Sequence, residues 1–455
     1  MENAEILLVY PPSQKVDFMM GIPCLAEQLH EDHIEFDVLD APALGYSVEQ
    51  ILEYIEKTTP KRVGVSIPFT QLADSAVELM KAIRGKFPST LVVAGGAHTT
   101  LCPDEIVPYA NVLVLGDGET AIVHIIKEGI KSGKLRMPVD RVVKPRWESV
   151  EFQKYHMRLI GGHRAMPIIS GRGCVFNCNF CSNRKLSDGK VRYRDTGSVI
   201  EEIRYYKEYY GFTSFSFTDE TFFLNRQRAV NLCSALIESR LNIRWWAQTR
   251  ANTIDKQILK LAKKAGCYGL SIGVETGNSV ILEKINKGIS LVDAKGAVKL
   301  IRDARILSYA GFIVAHPWDT EETVIETLNF ADELDPDFIG VAIATPFPET
   351  QLRRDAVANG VIIAANWSEY DPQNVTYIPN GLKGIDIKRS QQLLFDCFYA
   401  KRPKRIYRKW QVFLSTRDSW RVSSYWLLAL FLKSSLAQYV ETRLVGMPKS
   451  LPKGN

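Results

Sequence analysis

Three cysteines stand close together in this chain of 455 residues: Cys174, Cys178 and Cys181, in the stretch Gly171-Arg-Gly-Cys174-Val-Phe-Asn-Cys178-Asn-Phe-Cys181. Thiolates separated by three and by two residues, in a loop opened by glycines, can wrap one face of a cubane iron-sulfur cluster. A zinc knuckle would want a fourth cysteine or histidine close by. The nearest upstream histidine is His163 and the next downstream is His316. Three protein ligands on four irons leave one iron open, and that iron is a place for a substrate or cosubstrate to chelate. Cys24, Cys102, Cys233, Cys267 and Cys397 are scattered and read as core or surface thiols.

The elements that must position this loop are legible as two alternating series. Residues 4 to about 130 hold five short apolar runs, EILLVY, EFDVLD, RVGVSI, TLVVAG and NVLVLG, separated by helix-period segments such as 71–86 and 121–131. This pattern predicts an α/β domain with a five-stranded, doubly wound, flavodoxin-like parallel sheet. Ligands of such sheets bind beyond the carboxyl ends of the strands, which here read Tyr10-Pro11-Pro12, Ser66-Ile67-Pro68, Gly95-Gly96-Ala97-His98 and Gly116-Asp117-Gly118-Glu119. A second series has strand candidates at 167–170, 212–218, 243–249, 268–275, 307–315 and 337–345, with helical segments between them. Six βα units are too few for a closed eight-stranded barrel, so a partial (β/α)6 TIM-like barrel is expected, with its chemistry at the strand carboxyl ends. The expected organisation is a first domain at 1–135, a basic linker at 136–165, the partial barrel at 166–384 and a helical region at 385–455.

The cysteine loop follows the first strand of the second series. With its Cys-x3-Cys-x2-Cys spacing and Phe180 before the last cysteine, the chain resembles the radical S-adenosylmethionine superfamily. The resemblance implies that a [4Fe-4S] cluster on Cys174, Cys178 and Cys181 is chelated by the amino and carboxyl groups of S-adenosylmethionine. One electron, from an external flavodoxin- or ferredoxin-type reductant, then cleaves this cosubstrate to methionine and a 5'-deoxyadenosyl radical, which takes a hydrogen atom from an unactivated position. It also implies a cosubstrate pocket at the next strand ends: Phe180, Asp219 and Glu220 of Phe217-Thr-Asp-Glu220, Gln248 and Arg250 of Gln248-Thr-Arg250, and Glu275 of Gly273-Val-Glu-Thr-Gly277. The acidic pair falls where the family binds the amino group, and Arg250 and Glu275 are suited to the carboxylate and the ribose hydroxyls. Each of these, taken alone, also reads as a structural charge at a strand end. Two motifs depart from the family pattern: Pro317-Trp-Asp-Thr320 stands for Pro-Gly-Glu-Thr, and Pro346-Phe-Pro-Glu-Thr350 for Pro-Tyr-Pro-Gly-Thr. Both changes are expected to bear on substrate fit.

The first domain resembles the cobalamin-binding module of the cobalamin-dependent branch of this superfamily. The resemblance names Pro11, Ser66, Gly95, Gly96, His98, Gly116 and Glu119 as cobalamin-binding positions, with the glycines letting backbone approach a flat macrocycle. The Asp-x-His-x2-Gly motif of other cobalamin proteins is missing. His98 is then either a ligand to cobalt or a histidine satisfying backbone groups, and a domain that has lost its cofactor is the alternative. Only Cys24 and Cys102 lie in this domain, too few for the second cluster of methylthio-transferring relatives.

A composition of 46% apolar and 24% charged residues excludes disordered, collagenous and small disulfide-stapled chains. The start MENAEILLVYPPSQ has no basic and apolar leader pattern, so a cytoplasmic protein is expected. The longest apolar run, Tyr425–Leu432, is far short of the ~20 residues of a membrane span. The net charge of +6 conceals an asymmetry: residues 401–455 hold 12 Lys+Arg and two acids, so the remainder is slightly acidic. Basic residues beside Trp410, Trp420, Tyr425 and Trp426 fit a helix lying on an anionic membrane or delivering a lipid-like substrate. They equally fit a helical cap whose cations are solvated. No nucleic-acid module accompanies them. The expected function is C-methyl transfer to a small or lipid-like metabolite; cyclisation, ring contraction or oxidative cyclisation by the same domains is the alternative, and an iron-sulfur sensor or electron carrier a third reading.

Overall fold

The computed structural model describes residues 4–14, 19–155 and 164–400, together with Lys453. The N-terminal sheet contains β1 (Ile6–Tyr10), β2 (Phe36–Asp40), β3 (Arg62–Ser66), β4 (Leu91–Gly95), β5 (Val112–Val114) and β6 (Gly133–Leu135). Their order is β2-β1-β3-β4-β5-β6 and every pairing is parallel. The sheet thus has six strands where five were expected. The extra edge strand is three residues long and its first two positions are exposed, so it carries no apolar run for the sequence to show. Strand order reverses between β1 and β3, which opens a crevice at their carboxyl ends.

The second sheet contains β7 (Ala165–Ile168), β8 (Ser214–Phe217), β9 (Arg244–Thr249), β10 (Cys267–Glu275), β11 (Leu307–Val314) and β12 (Phe338–Ile343). They pair in chain order, all parallel, as the partial barrel requires. The helices between them start where side chains satisfy their free N–H groups. Asp255 accepts from Gln257 and Ile258, while Ser290 and Thr320 form capping boxes with Asp293 and Thr323. Alternation puts Trp246, Gln248, Ser271, Gly273 and Tyr309 on one face of this sheet, and this is its less buried face. A hairpin, Gly360–Ile362 with Tyr377–Pro379, lies within the region read as barrel and was not expected.

Residues 136–155 are no free linker. Trp147, Phe152 and Tyr155 are buried, and the Tyr155 hydroxyl donates to Asp40 at the end of β2. Lys144 and Arg146 pair with the buried Glu27, and Phe152 packs edge-on against Tyr206 and Tyr210 of the helix Thr196–Tyr210. This strap fastens the two sheets together; three bulky aromatics among prolines carry no periodicity, which is why it reads as a loop. Helix Ile387–Ala400 follows the barrel, with Gln391 donating to the Val341 carbonyl (2.6 Å). The basic aromatic tail, 401–455, lies outside the described residues except for Lys453. No helix among the described residues is long and apolar enough to cross a membrane.

Candidate active site

The cysteine loop leaves β7 through Ser170-Gly171-Arg172-Gly173. Gly173 has φ +108°, and a Cβ there would stand 2.0 Å from the Lys190 carbonyl oxygen, so only glycine can start this loop. Cys174, Cys178 and Cys181 are half-buried and free. Burial pushes the Cys181 thiol up to about 11, with the Asn183 amide opposing, and raises Cys174 as well; irons bound there would reverse this by taking the thiolates. Three thiols on one partly open loop are the donor chemistry of an iron-sulfur cluster.

Arg250, at the end of β9, is buried. It stacks 3.6 Å over the Phe176 ring and places Nη1 3.4 Å from Cys178 Sγ, while Nη2 donates to the Lys287 carbonyl. Glu275 ends β10 with φ +72° and accepts from Lys287 Nζ at 2.6 Å, a pair 9% exposed on each side. Sequence reasoning missed Lys287: it lies in an irregular stretch, twelve residues beyond Glu275, with no motif around it. Gly273 leaves the space for this pair, since a Cβ there would stand 2.1 Å from Glu275 Oε1. Lys287→Met should destabilise the fold by about 3–5 kcal/mol by leaving Glu275 buried and uncompensated, measured by chemical denaturation; a loss under about 1 kcal/mol would show that the pair is not desolvated.

The acidic pair divides. Glu220 is half-exposed and accepts from the Gly173 amide (2.9 Å), and burial pushes its carboxyl up. Asp219 accepts from the Ser170 amide (2.8 Å) and from its hydroxyl, with Arg228 at 3.4 Å. Its carboxylate is thus engaged by protein groups, which pin the start of the loop. Gln248 is exposed at the open face, and Phe180 is half-buried against both Ile281–Ile285 and the Ala344 cluster.

The two departing motifs are also structural in part. Asp319 is buried, accepts from the His316 amide (2.7 Å) and the Thr323 hydroxyl, and is pushed up to about 6 by that burial. Trp318 joins the wall beside Phe180. Glu349 adopts φ +59° where the family's glycine would sit, and reaches Lys185 just beyond the cysteine loop at 2.8 Å.

A cleft of about 330 Å³ runs from the crevice of the first sheet to this loop. Ser66, Gly95, Gly96, Gly116 and Glu119 line it from one side, and Gly171–Gly173, Thr218 and Glu220 from the other. Two expected residues are not in its lining. Pro11 lies outside it, and His98 turns away from it into the protein, fully buried with its ring edge-on to Trp367. Of the two readings of His98, a cobalt ligand or a histidine serving neighbouring groups, this placement favours the second; the helix Ala97–Leu101 presents Ala97 and Thr100 to the cleft. Gly96 is required by its own backbone, with φ +103° and a would-be Cβ 2.6 Å from the Ile67 carbonyl oxygen, rather than by a ligand alone. Glu119 is committed to Arg172 Nη1 (2.7 Å), which also meets Asp117 (3.1 Å), while Arg172 Nη2 lies 3.3 Å from Cys24 Sγ. Asp117 also pairs with Arg192. The Gly116–Glu119 turn thus clamps the cysteine loop to the first sheet.

Residues 168–331 match the model of the radical SAM superfamily, and residues 18–126 match that of the B12 binding domain. The chain carries a B12 binding domain followed by a radical SAM domain. The cofactors that go with these two domains are a [4Fe-4S] cluster, S-adenosylmethionine and cobalamin. Among its relatives is an uncharacterized methyltransferase of Pyrococcus horikoshii, 29% identical over 400 residues that cover 81% of this chain and 87% of the relative. The anaerobic magnesium-protoporphyrin IX monomethyl ester cyclase of Cereibacter sphaeroides is 28% identical over 381 residues, 77% of this chain and 61% of that enzyme. In fold, the chain matches the radical S-adenosylmethionine methyltransferase TsrM of Kitasatospora setae, solved with cobalamin and a [4Fe-4S] cluster. That match has a TM-score of 0.66 at 18% identity and covers 90% of this chain and 89% of that one. The radical SAM chain therefore retains both halves of the architecture, in the order that the two alternating series imply.

Proposed function

We propose that this radical SAM enzyme transfers a methyl group to an unactivated carbon of a small or lipid-like biosynthetic metabolite. The observation that carries the reading is the single cleft shared by the glycine-rich rim of the first sheet and the start of the cysteine loop. When bound, the cluster with S-adenosylmethionine supplies a hydrogen-abstracting radical, and cobalamin supplies a methyl carrier. Cys174, Cys178 and Cys181 hold the cluster. Glu220, Gln248, Arg250, Glu275 and Phe180 form the cosubstrate pocket, with Glu220 the one acid of its pair left to accept from an amino group. Ser66, Gly95, Gly96 and Gly116 would form the cobalamin edge, and no histidine among the described residues lines the cleft beside them. The strap over 136–155 and the Arg172 clamp hold the two edges in register and keep the cleft between them narrow.

The test is anaerobic incubation with S-adenosylmethionine carrying a deuterated methyl group, a flavodoxin- or ferredoxin-type reductant and a panel of candidate substrates. Labelled methyl in a product, beside 5'-deoxyadenosine and S-adenosylhomocysteine, is expected. An unlabelled, cyclised product would place the chain with the cyclase relatives. No 5'-deoxyadenosine from a fully loaded cluster would overturn both readings. We further propose that the tail from residue 401 meets an anionic membrane surface, given its 12 Lys+Arg and four interfacial aromatics. A chain ending at residue 400 should then lose sedimentation with phosphatidylserine vesicles, and equal sedimentation of both forms contradicts this.

A further inference from the structure

One group of ligand-type side chains lies outside the cleft, on the far side of the helix that borders it. His98, Cys102 and Glu105 present Nε2, Sγ and a carboxylate oxygen that all lie within 4.8 Å of one another. They fall at successive turns of the helices Ala97–Leu101 and Pro103–Ile106, where Pro103 forces the break that brings Cys102 round. His98 is completely buried, and its Nε2 has no hydrogen-bond partner among the described residues. Nε2 points instead at Glu105 Oε2, 3.8 Å away, too far for a hydrogen bond. A buried ring nitrogen left in that state loses the hydrogen bond that water would give it.

The surroundings are those of a ligand set. His98 Nδ1 faces Thr70 Oγ1 at 3.4 Å, a contact that favours the proton on Nδ1 and leaves the Nε2 lone pair free. Trp367 Nε1 donates to Glu105 Oε2 at 2.8 Å, orienting the carboxylate from the other domain. Partners of this kind fix metal-binding imidazoles and carboxylates. A tetrahedral zinc with its usual bond lengths needs nitrogen and oxygen donors about 3.3–3.4 Å apart, so His98 and Glu105, at 3.8 Å, would close by roughly half an ångström on binding. A nitrogen, sulfur and oxygen set suits zinc better than magnesium or calcium, which select oxygen.

We propose that His98, Cys102 and Glu105 bind a zinc ion, with water in the fourth position, as a clasp between the first sheet's helix and the Trp367 segment of the barrel. Binding takes the Cys102 thiolate and releases its proton to solvent. The site is separate from the cysteine loop, and its presence is independent of the methyl-transfer reading.

Metal analysis of the cluster-loaded enzyme after dialysis against micromolar zinc tests it. The expected result is about one zinc per chain, lost in Cys102→Ala and weakened in Glu105→Gln, with the iron content of both variants equal to that of the parent. Cobalt(II) added to a Cys174→Ala/Cys178→Ala/Cys181→Ala chain, which has no cluster thiols, should give a thiolate-to-cobalt absorption band that Cys102→Ala removes. Circular dichroism of each variant separates loss of metal from loss of fold. No zinc retained by the folded parent enzyme, or zinc unaffected by both substitutions, would overturn the proposal.

Discussion

Cys178→Ala is expected to remove the charge-transfer absorption of the reconstituted cluster and, with it, all 5'-deoxyadenosine formation. The effect is the largest predicted because the loop offers three thiols and no fourth cysteine or histidine: the next histidine along the chain is His316, and it is buried. Cys178 is also the sulfur that Arg250 Nη1 approaches at 3.4 Å, so its loss leaves a buried guanidinium without that contact. Cys233→Ala is the control. That thiol is a core group of the helix Arg226–Glu238, and its removal should cost packing while the absorption survives. Retention of the full absorption by Cys178→Ala would show that the ligand assignment is wrong.

The second large effect is expected at Arg172, which lines the cleft and bridges its two edges. Its guanidinium joins the residue just before Gly173 and Cys174 to Glu119 and Asp117 of the first sheet, and Glu119 is 3% exposed in its side chain. Arg172→Ala leaves that carboxylate buried without its partner and frees the loop from the cobalamin edge. A loss of about 10–100-fold in methyl transfer is expected, the usual scale for groups that orient a metal site from behind. The diagnostic is a ratio rather than a rate. If the clamp registers the two edges of the cleft, 5'-deoxyadenosine should continue to form while labelled product falls, so the two become uncoupled. Arg172→Lys keeps the charge but loses the second nitrogen that meets Cys24, and should recover part of the coupling. Parallel loss of both products, with no rescue by lysine, would reduce Arg172 to a folding role.

Much of this site was legible because its signals are local. Cysteine spacing, a glycine before Cys174 and apolar runs ending in turn residues each depend on a few neighbouring positions, and all six barrel strands lie where alternation put them. What was not legible depends on pairing across long separations. Asp219 and Glu220 look alike in sequence, yet Ser170, 49 residues away, accounts for the difference between them. Glu119 reads as a cavity residue until Arg172, 53 residues on, claims it. Lys287 had no signal, and His98 sat in a glycine-rich turn whose buried side only the fold reveals. The strap residues Trp147 and Tyr155 belong to the core of both sheets while lying in a stretch with no period at all.

The central claim is that the first sheet and the cysteine loop act on one substrate through one cleft. It is tested most directly by quantifying S-adenosylhomocysteine and labelled product from cluster-loaded enzyme prepared with and without cobalamin. The account predicts that both are abolished when cobalamin is withheld, that both return when it is added, and that Gly95→Val in the cleft lining prevents their return. Equal amounts of labelled product with and without cobalamin would contradict it.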